Sequence, residues 1–290
     1  MRFLSVLRPH QWMKNFLLFV PLLTSQSELD QTQVWLAFFG FLGFSLVCSA
    51  NYILNDLIDV DRDKQVPYKS KRPIAAGQIK ISVVKVYALI VLCVGLLICL
   101  NCSRYFALLA SIYVFLGIIY SWKLKNIPQV NLVILVLFYE IRIFAGATLF
   151  NLVVSFWLII FSFTIFSSLA SLKKYTKVAL LSGSEADQDF CENSRRELVY
   201  FGSFGISFAV LSMLTFALYL NSEEVTLVYK NPKILWILVP LIQYLLLRMW
   251  NRAMHGKMHY DPIVFILKDK SSFVCLGVMV MVTVMVGRLS

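Results

Sequence analysis

The sequence predicts an all-α integral membrane protein with about nine transmembrane helices, and three observations predict it. The chain of 290 residues is 59% hydrophobic and only 15% charged, whereas a soluble domain is nearer a quarter charged. Its mean hydropathy is +0.74. Several apolar runs approach the ~20 residues with which a helix crosses a hydrocarbon core. One integral-membrane domain over 1–290 is expected, because no Pro/Gly/Ser-rich linker and no evident repeat divides the chain.

Taken in order, the apolar segments lie near 15–24, 34–54, 82–100, 104–120, 131–150, 155–172, 198–220, 234–249 and 272–287. The first is too short to cross alone if straight, so it is either half-inserted or begins inside the Arg8-to-Lys14 stretch. No removable signal-peptide pattern precedes it. Segment 34–54 runs into a dense charged loop. Segments 82–100 and 104–120 are joined by a short turn carrying Cys102. Segment 131–150 contains Arg142, a charge inside a span, and 155–172 ends at Lys173 and Lys174. Segment 198–220 follows the polar run "CENSRREL", and the last two flank "GKMHYDPIVFILKDKSS".

Basic residues set the expected topology. Of 27 Lys and Arg, 22 fall on or beside the N-terminus and the loops at 55–81, 121–130, 173–197 and 250–271. Arg104, Lys230, Lys233 and Arg288 fall on the other side. The positive-inside rule places the N-terminus and the charged loops in the cytoplasm and the C-terminus outside; a bacterial inner membrane is the expected location. The pI near 9.4 is accounted for by these membrane-flanking loops and anionic headgroups. Nucleic acid is therefore not an expected partner; the lipid bilayer is, and homo-oligomerisation is left open. The six cysteines show no CxxC or Cys/His spacing and read as small buried hydrophobes.

The charged loop is "NDLIDVDRDKQVPYKSKRPIAAGQ", residues 55–78. On a helix, Asp56, Asp59 and Asp63 fall within an arc of about 60°, and Asn51 and Asn55 extend that side toward the membrane. Asp61 lies about 140° from Asp56, off the stripe. Carboxylates so spaced repel one another unless positive charge sits among them. A solvated acidic helix end is one reading. The other is Mg²⁺, which takes oxygen ligands and bridges one or two carboxylates to substrate phosphates. The basic run favours it, since Lys69, Lys71 and Arg72 offer donors for phosphate oxygens.

"NDLIDVDRD" fits the N-D-x-x-D-x-x-x-D motif and resembles the UbiA superfamily of intramembrane prenyltransferases. That resemblance implies nine transmembrane helices around a lipid-open cavity, with Asp56, Asp59 and Asp63 as catalytic metal ligands. "LRPHQWMKNFLLFVPLL", "RPIAAG", "YSWKLK", "YEIRIFAGA", "LASLKKY" and "GKMHYDPIVFILKDKSS" narrow it to the branch containing decaprenyl-phosphate phosphoribosyltransferase. Residues from about 7 to 272 share in it. The branch implies transfer of 5-phosphoribose from phosphoribosyl diphosphate to a polyprenyl phosphate, with Mg²⁺ as cofactor and pyrophosphate released. A conventional UbiA prenyltransferase, joining a polyprenyl diphosphate to an aromatic or other acceptor, is the alternative. A membrane transporter or lipid-binding scaffold without chemistry is the second, but its expected inverted repeats and broken spans are not evident.

The remaining candidates each have a plain and a sharp reading. Asp261, followed by Pro262, suits a helix N-cap; the branch makes Asp261 and Asp269 a second acidic site on metal or ribose. Arg142, with Tyr139 sharing its face, is a phosphate contact or half of a buried ion pair. Lys14 is a snorkelling lysine beside Trp12 or a phosphate ligand. Lys173 is a topology signal or an active-site rim residue. The branch's usual His-Pro is Val66-Pro67 here, a usual aspartate is Asn131, and a Gly-Arg-Gly-Tyr-like run is absent. Asn131 removes a metal ligand or phosphate-orienting charge.

Overall fold

A computed structural model describes residues 2–25, 30–65, 70–182, 188–259 and 261–288. The described residues form helices joined by turns, and eight helices are long and apolar enough to cross a membrane. The expected spans from 34 onward all appear, and four of the eight helices run a turn or more past the apolar core at one end. The short 15–24 segment does not become a ninth helix of spanning length. It divides into an 11-residue 3-10 segment, Pro9–Phe19, and the short helix α2, Val20–Ser25.

The chain divides into two compact units, one from residues 1–22 and 27–153 and the other from 23–26 and 154–290. The first holds α1 (Arg2–Leu7), the 3-10 segment, α3 (Gln31–Ile58), α4 (Val60–Gln65), α5 (Ile81–Cys102), α6 (Arg104–Trp122) and α7 (Pro128–Phe150). Helix α3 starts at a capping box. Asp30 Oδ1 accepts from the Gln33 amide at 2.6 Å, and the Gln33 side chain accepts from the Asp30 amide. It then packs along α5, around buried Val47, Ala50, Ile53, Val84 and Ala88.

Backbones approach closely where the 3-10 segment crosses α7. A Cβ on Gly146 would stand 1.9 Å from the Leu18 carbonyl oxygen, so only glycine fits there. A second glycine, Gly77, takes φ +67° and closes the turn after "RPIAA".

The second unit holds α8 (Phe156–Ser182), α9 (Gln188–Leu220), the short α10 (Glu223–Val228), α11 (Leu238–Met254), α12 (Pro262–Lys268) and α13 (Lys270–Arg288). Helices α8 and α9 form an antiparallel pair. The core of the unit gathers Leu172, Val225, Leu235, Met249 and Trp250. The Trp250 indole also donates to Ser168 Oγ at 3.1 Å, which satisfies its N–H inside that core.

Candidate active site

The acidic motif lies where α3 gives way to α4. Helix α3 stops at Ile58, and Asp59 is its C-cap with φ −93° and ψ 5°. The chain resumes at once as α4, with the Asp63 amide bonded to the Asp59 carbonyl at 2.8 Å. The carboxylate stripe therefore survives the break in part. Asp56 and Asp63, seven residues apart, turn the same way and are buried, while Asp59 is drawn to a different partner. Asp61 points to solvent, its side chain 87% exposed beside Lys64.

Each carboxylate of the stripe holds a cation from outside its own helix. Arg72 Nη1 lies 3.0 Å from Asp56 Oδ1 and 2.5 Å from Asp63 Oδ2, so one nitrogen bridges two acids. Arg8 Nη2 donates to both oxygens of Asp56, at 2.6 and 2.5 Å. The Lys125 ammonium pairs with Asp59. Beneath them, Asn55 Oδ1 accepts from Ser121 Oγ at 2.8 Å. The 3-10 turn Leu124–Asn126 that carries Lys125 is also tied by Arg62 to Asn126 and by Asn131 Nδ2 to the Lys125 carbonyl at 2.7 Å.

Of the basic residues expected here, Arg72 enters the cluster, Lys71 is exposed, and Lys69 lies outside the described residues. Arg8 and Lys125 were not singled out in the sequence. Their long-range partners are 48 and 66 residues away, beyond any local pattern, although both sit in branch-like segments. Asn131, expected as a lost carboxylate, instead makes a bond to a carbonyl that needs an N–H donor, which aspartate lacks.

Arg142 is buried at 2% exposure among neutral groups. Its Nε donates to Asn15 Oδ1 at 3.0 Å, Nη2 to the Tyr113 hydroxyl at 2.8 Å, and Nη1 to the Phe138 carbonyl. The rings of Phe44, Tyr113 and Tyr139 lie 4.8–6.0 Å from its guanidinium carbon. An intramembrane cation costs about 3 kcal/mol to insert, and these bonds and ring faces offset that cost. Lys14 is likewise buried, at 8% exposure, on the 3-10 segment.

In the second unit, Asp261 is the N-cap of α12, its Oδ1 accepting from the Ile263 amide at 3.1 Å. Asp269 receives Arg248 at 2.7 and 2.8 Å and also accepts from the Ser272 hydroxyl and amide at 2.7 and 3.0 Å. The bidentate Arg248 guanidinium and those Ser272 bonds hold the Asp269 carboxyl well below the usual carboxylate range. Both aspartates thus serve helix ends, and Asp269 joins α11 to α13. Lys173 is half-buried on α8.

The donor set is compatible with a hard cation. Asp56, Asp59 and Asp63 supply oxygen only, and one cationic nitrogen already sits between Asp56 and Asp63, at a position that favours positive charge. Among the described residues, no three acidic, His or Cys side chains are yet gathered closely enough to enclose a metal. Engagement would require the basic side chains to be exchanged for the ion.

Fold and site together define a polytopic helical membrane protein with a carboxylate cluster where a spanning helix ends. The chain belongs to the UbiA prenyltransferase family, whose model matches residues 16–257, and members of that family are transferases. It is similar to nodulation protein NoeC of Azorhizobium caulinodans, 31% identical over 95% of this chain and 90% of that protein. Protein y4nM of Sinorhizobium fredii is 34% identical over 93% of this chain and 53% of its own length. The decaprenyl-phosphate phosphoribosyltransferase of Corynebacterium glutamicum is 29% identical over 61% of this chain and 54% of its own. The chain thus spans about half the length of the latter two. A solved UbiA homologue from Archaeoglobus fulgidus, bound to DMAPP and Mg²⁺, has the same fold, with a TM-score of 0.70, 17% identity and full coverage of both chains.

Proposed function

We propose that the protein transfers 5-phosphoribose from phosphoribosyl diphosphate to a polyprenyl phosphate and releases pyrophosphate. The observation that carries a metal–diphosphate site is the Arg72 nitrogen shared by Asp56 and Asp63, with Arg8 and Lys125 on the same carboxylate set. Paired charges of this kind can be redistributed, carboxylates to a cation and guanidiniums to phosphate oxygens. Likeness to decaprenyl-phosphate phosphoribosyltransferase supports ribose as the group transferred.

Asp56, Asp59 and Asp63 would hold Mg²⁺, which when bound supplies Lewis-acid stabilisation of the departing diphosphate. Arg72 and Lys71 would then bind phosphate oxygens, and Lys125, released from Asp59, would face the same anion. The lipid phosphate oxygen forms a bond to ribose C1 as the C1–O bond to diphosphate breaks, and the electron pair leaves on pyrophosphate. The nucleophile is already an anion at neutral pH, so the residues orient it rather than deprotonate it. Lys173, Asp261 and Asp269 belong to the second unit; Lys173 remains our candidate rim residue there. The two aspartates would reach a substrate only by leaving their helix-end bonds. The family model runs across both units, which supports reading 1–290 as one membrane domain.

The decisive assay supplies membranes with ribose-labelled phosphoribosyl diphosphate and polyprenyl phosphate, and separately with labelled polyprenyl diphosphate and candidate acceptors. Label from the ribose donor is expected in the lipid fraction, dependent on Mg²⁺. Product only from the prenyl donor would establish the conventional prenyltransferase instead. Pyrophosphate release from neither donor would leave a non-enzymatic carrier or scaffold.

The donor is made in the cytosol, so we place the N-terminus and the charged loops inside and the C-terminus outside. Single cysteines at exposed Lys123 and at Glu223, on the α9–α10 side, should be labelled by an impermeant thiol reagent from opposite faces of the inner membrane. Labelling of both from one face would invalidate this orientation.

A further inference from the structure

The 3-10 segment Pro9–Phe19 is far longer than the three or four residues such runs usually reach. Its i→i+3 bonds are poorer than those of an α-helix, so side chains must hold it. Trp12 Nε1 donates to Ser49 Oγ at 2.9 Å, and Ser49 Oγ in turn donates to the Leu7 carbonyl at 2.8 Å. Asn15 is fully buried and lies at the centre of the attachment. Its Nδ2 donates to Ser45 Oγ at 2.9 Å, and its Oδ1 accepts from Arg142 Nε at 3.0 Å and from the Cys48 thiol at 3.5 Å. Helix α3 and helix α7 thus grip one amide from opposite directions.

At the head of this segment stands Arg8, with φ 52° and ψ 59°. A non-glycine residue in that region is strained and persists only where its surroundings over-determine it. Here the strain aims the Arg8 guanidinium at both oxygens of Asp56, 48 residues away. The Tyr52 ring lies beneath it, 5.7 Å from the guanidinium carbon.

We infer that Arg142 is a positioning residue. Through Asn15 it fixes the 3-10 segment and so places Arg8 in the acidic cluster, where Arg8 serves as a diphosphate ligand. All three nitrogens of Arg142 are engaged away from the acidic cluster, by Asn15, Phe138, Tyr113 and, at 3.7 Å, Cys48 Sγ. It therefore acts on the anion site at one remove. The diphosphate role of Arg8 rests on the metal–diphosphate reading above, but not on which group is transferred.

Two measurements on the purified full-length protein test this. In hydrogen–deuterium exchange, Arg142→Gln and Asn15→Ala should raise exchange of amides 10–19 by roughly tenfold, as expected when a charge-assisted bond is lost. Asn15→Asp, which still accepts from Arg142, should stay close to the parent. Peptides from α5, in the same unit, report whether each variant is folded. Unchanged protection of 10–19 in a folded Arg142→Gln protein would overturn the anchor. The second measurement is calorimetric binding of inorganic pyrophosphate with Mg²⁺, which needs no turnover. Arg142→Gln and Arg8→Ala should each weaken it, and the double variant should be no weaker than Arg8→Ala alone. Additive losses would show that Arg142 contacts the anion itself and would overturn the positioning role. Parent protein that binds no pyrophosphate would instead defeat the metal–diphosphate reading, with the exchange result standing separately.

Discussion

Asp59→Asn is expected to abolish most turnover, while Asp61→Asn is expected to be nearly silent. The lost ligand would remove transition-state stabilisation of several kcal/mol, which at ~1.4 kcal/mol per tenfold is two to three orders of magnitude in rate. Asp61 is exposed and, among the described residues, pairs with Lys64 across one turn, and such surface pairs contribute between zero and about 1 kcal/mol. Asp59 also pairs with Lys125, each side chain 14% exposed, so the substitution breaks an ion pair as well. Lys125→Met separates the two effects. It breaks the same pair but keeps the carboxylate, so Mg²⁺ dependence should survive and the donor KM should rise. Rates are compared at matched membrane abundance. If Asp59→Asn and Asp61→Asn retained equal activity, the cluster would be a structural ion-pair network and not a metal site.

Arg72→Ala should destabilise the first unit more than any other single change in the cluster. The substitution leaves Asp56 and Asp63, at 6% and 1% exposure, facing each other without the nitrogen they share. Removing one partner of a buried pair costs about 3–5 kcal/mol. The lower end applies because the Arg72 side chain is 28% exposed and Arg8 still compensates Asp56. Thermal unfolding in detergent should show a clear fall in midpoint. Adding Asp63→Asn to Arg72→Ala should recover part of it, since one of the two like charges facing each other is then gone. The recovered protein should remain inactive, because the anion site has lost both a cation and a ligand. If the second substitution restored no stability, like-charge repulsion would not be the cause of the first loss.

The two predictions draw on different kinds of information. Composition and the length of the apolar runs were enough for an all-α membrane chain, because a bilayer satisfies no backbone polar group and leaves helices as the solution for apolar spans. Spacing alone put Asp56 and Asp63 on one side and Asp61 off it, since a helix has a fixed period. The quoted motif pointed to the UbiA family, and the family model agrees. Asp261 as an N-cap was likewise readable from the Pro262 that follows it.

Other features required the tertiary structure. The short first segment was legible as apolar but not as an 11-residue 3-10 run, which side chains of α3 and α7 hold in place. The diversion of Asp59 to Lys125 depends on a helix break that periodicity assumes away. Arg8 and Arg248 left no local trace, because their carboxylates lie 48 and 21 residues away. Asn131 looked like a missing charge, and only its 2.7 Å bond to the Lys125 carbonyl shows why a donor is needed there. The sequence by itself determined what repeats along one helix: the spans, and the side that Asp56 and Asp63 share. Which cation meets which carboxylate was decided by the tertiary structure, because charge pairing depends on distances between helices that no single helix encodes.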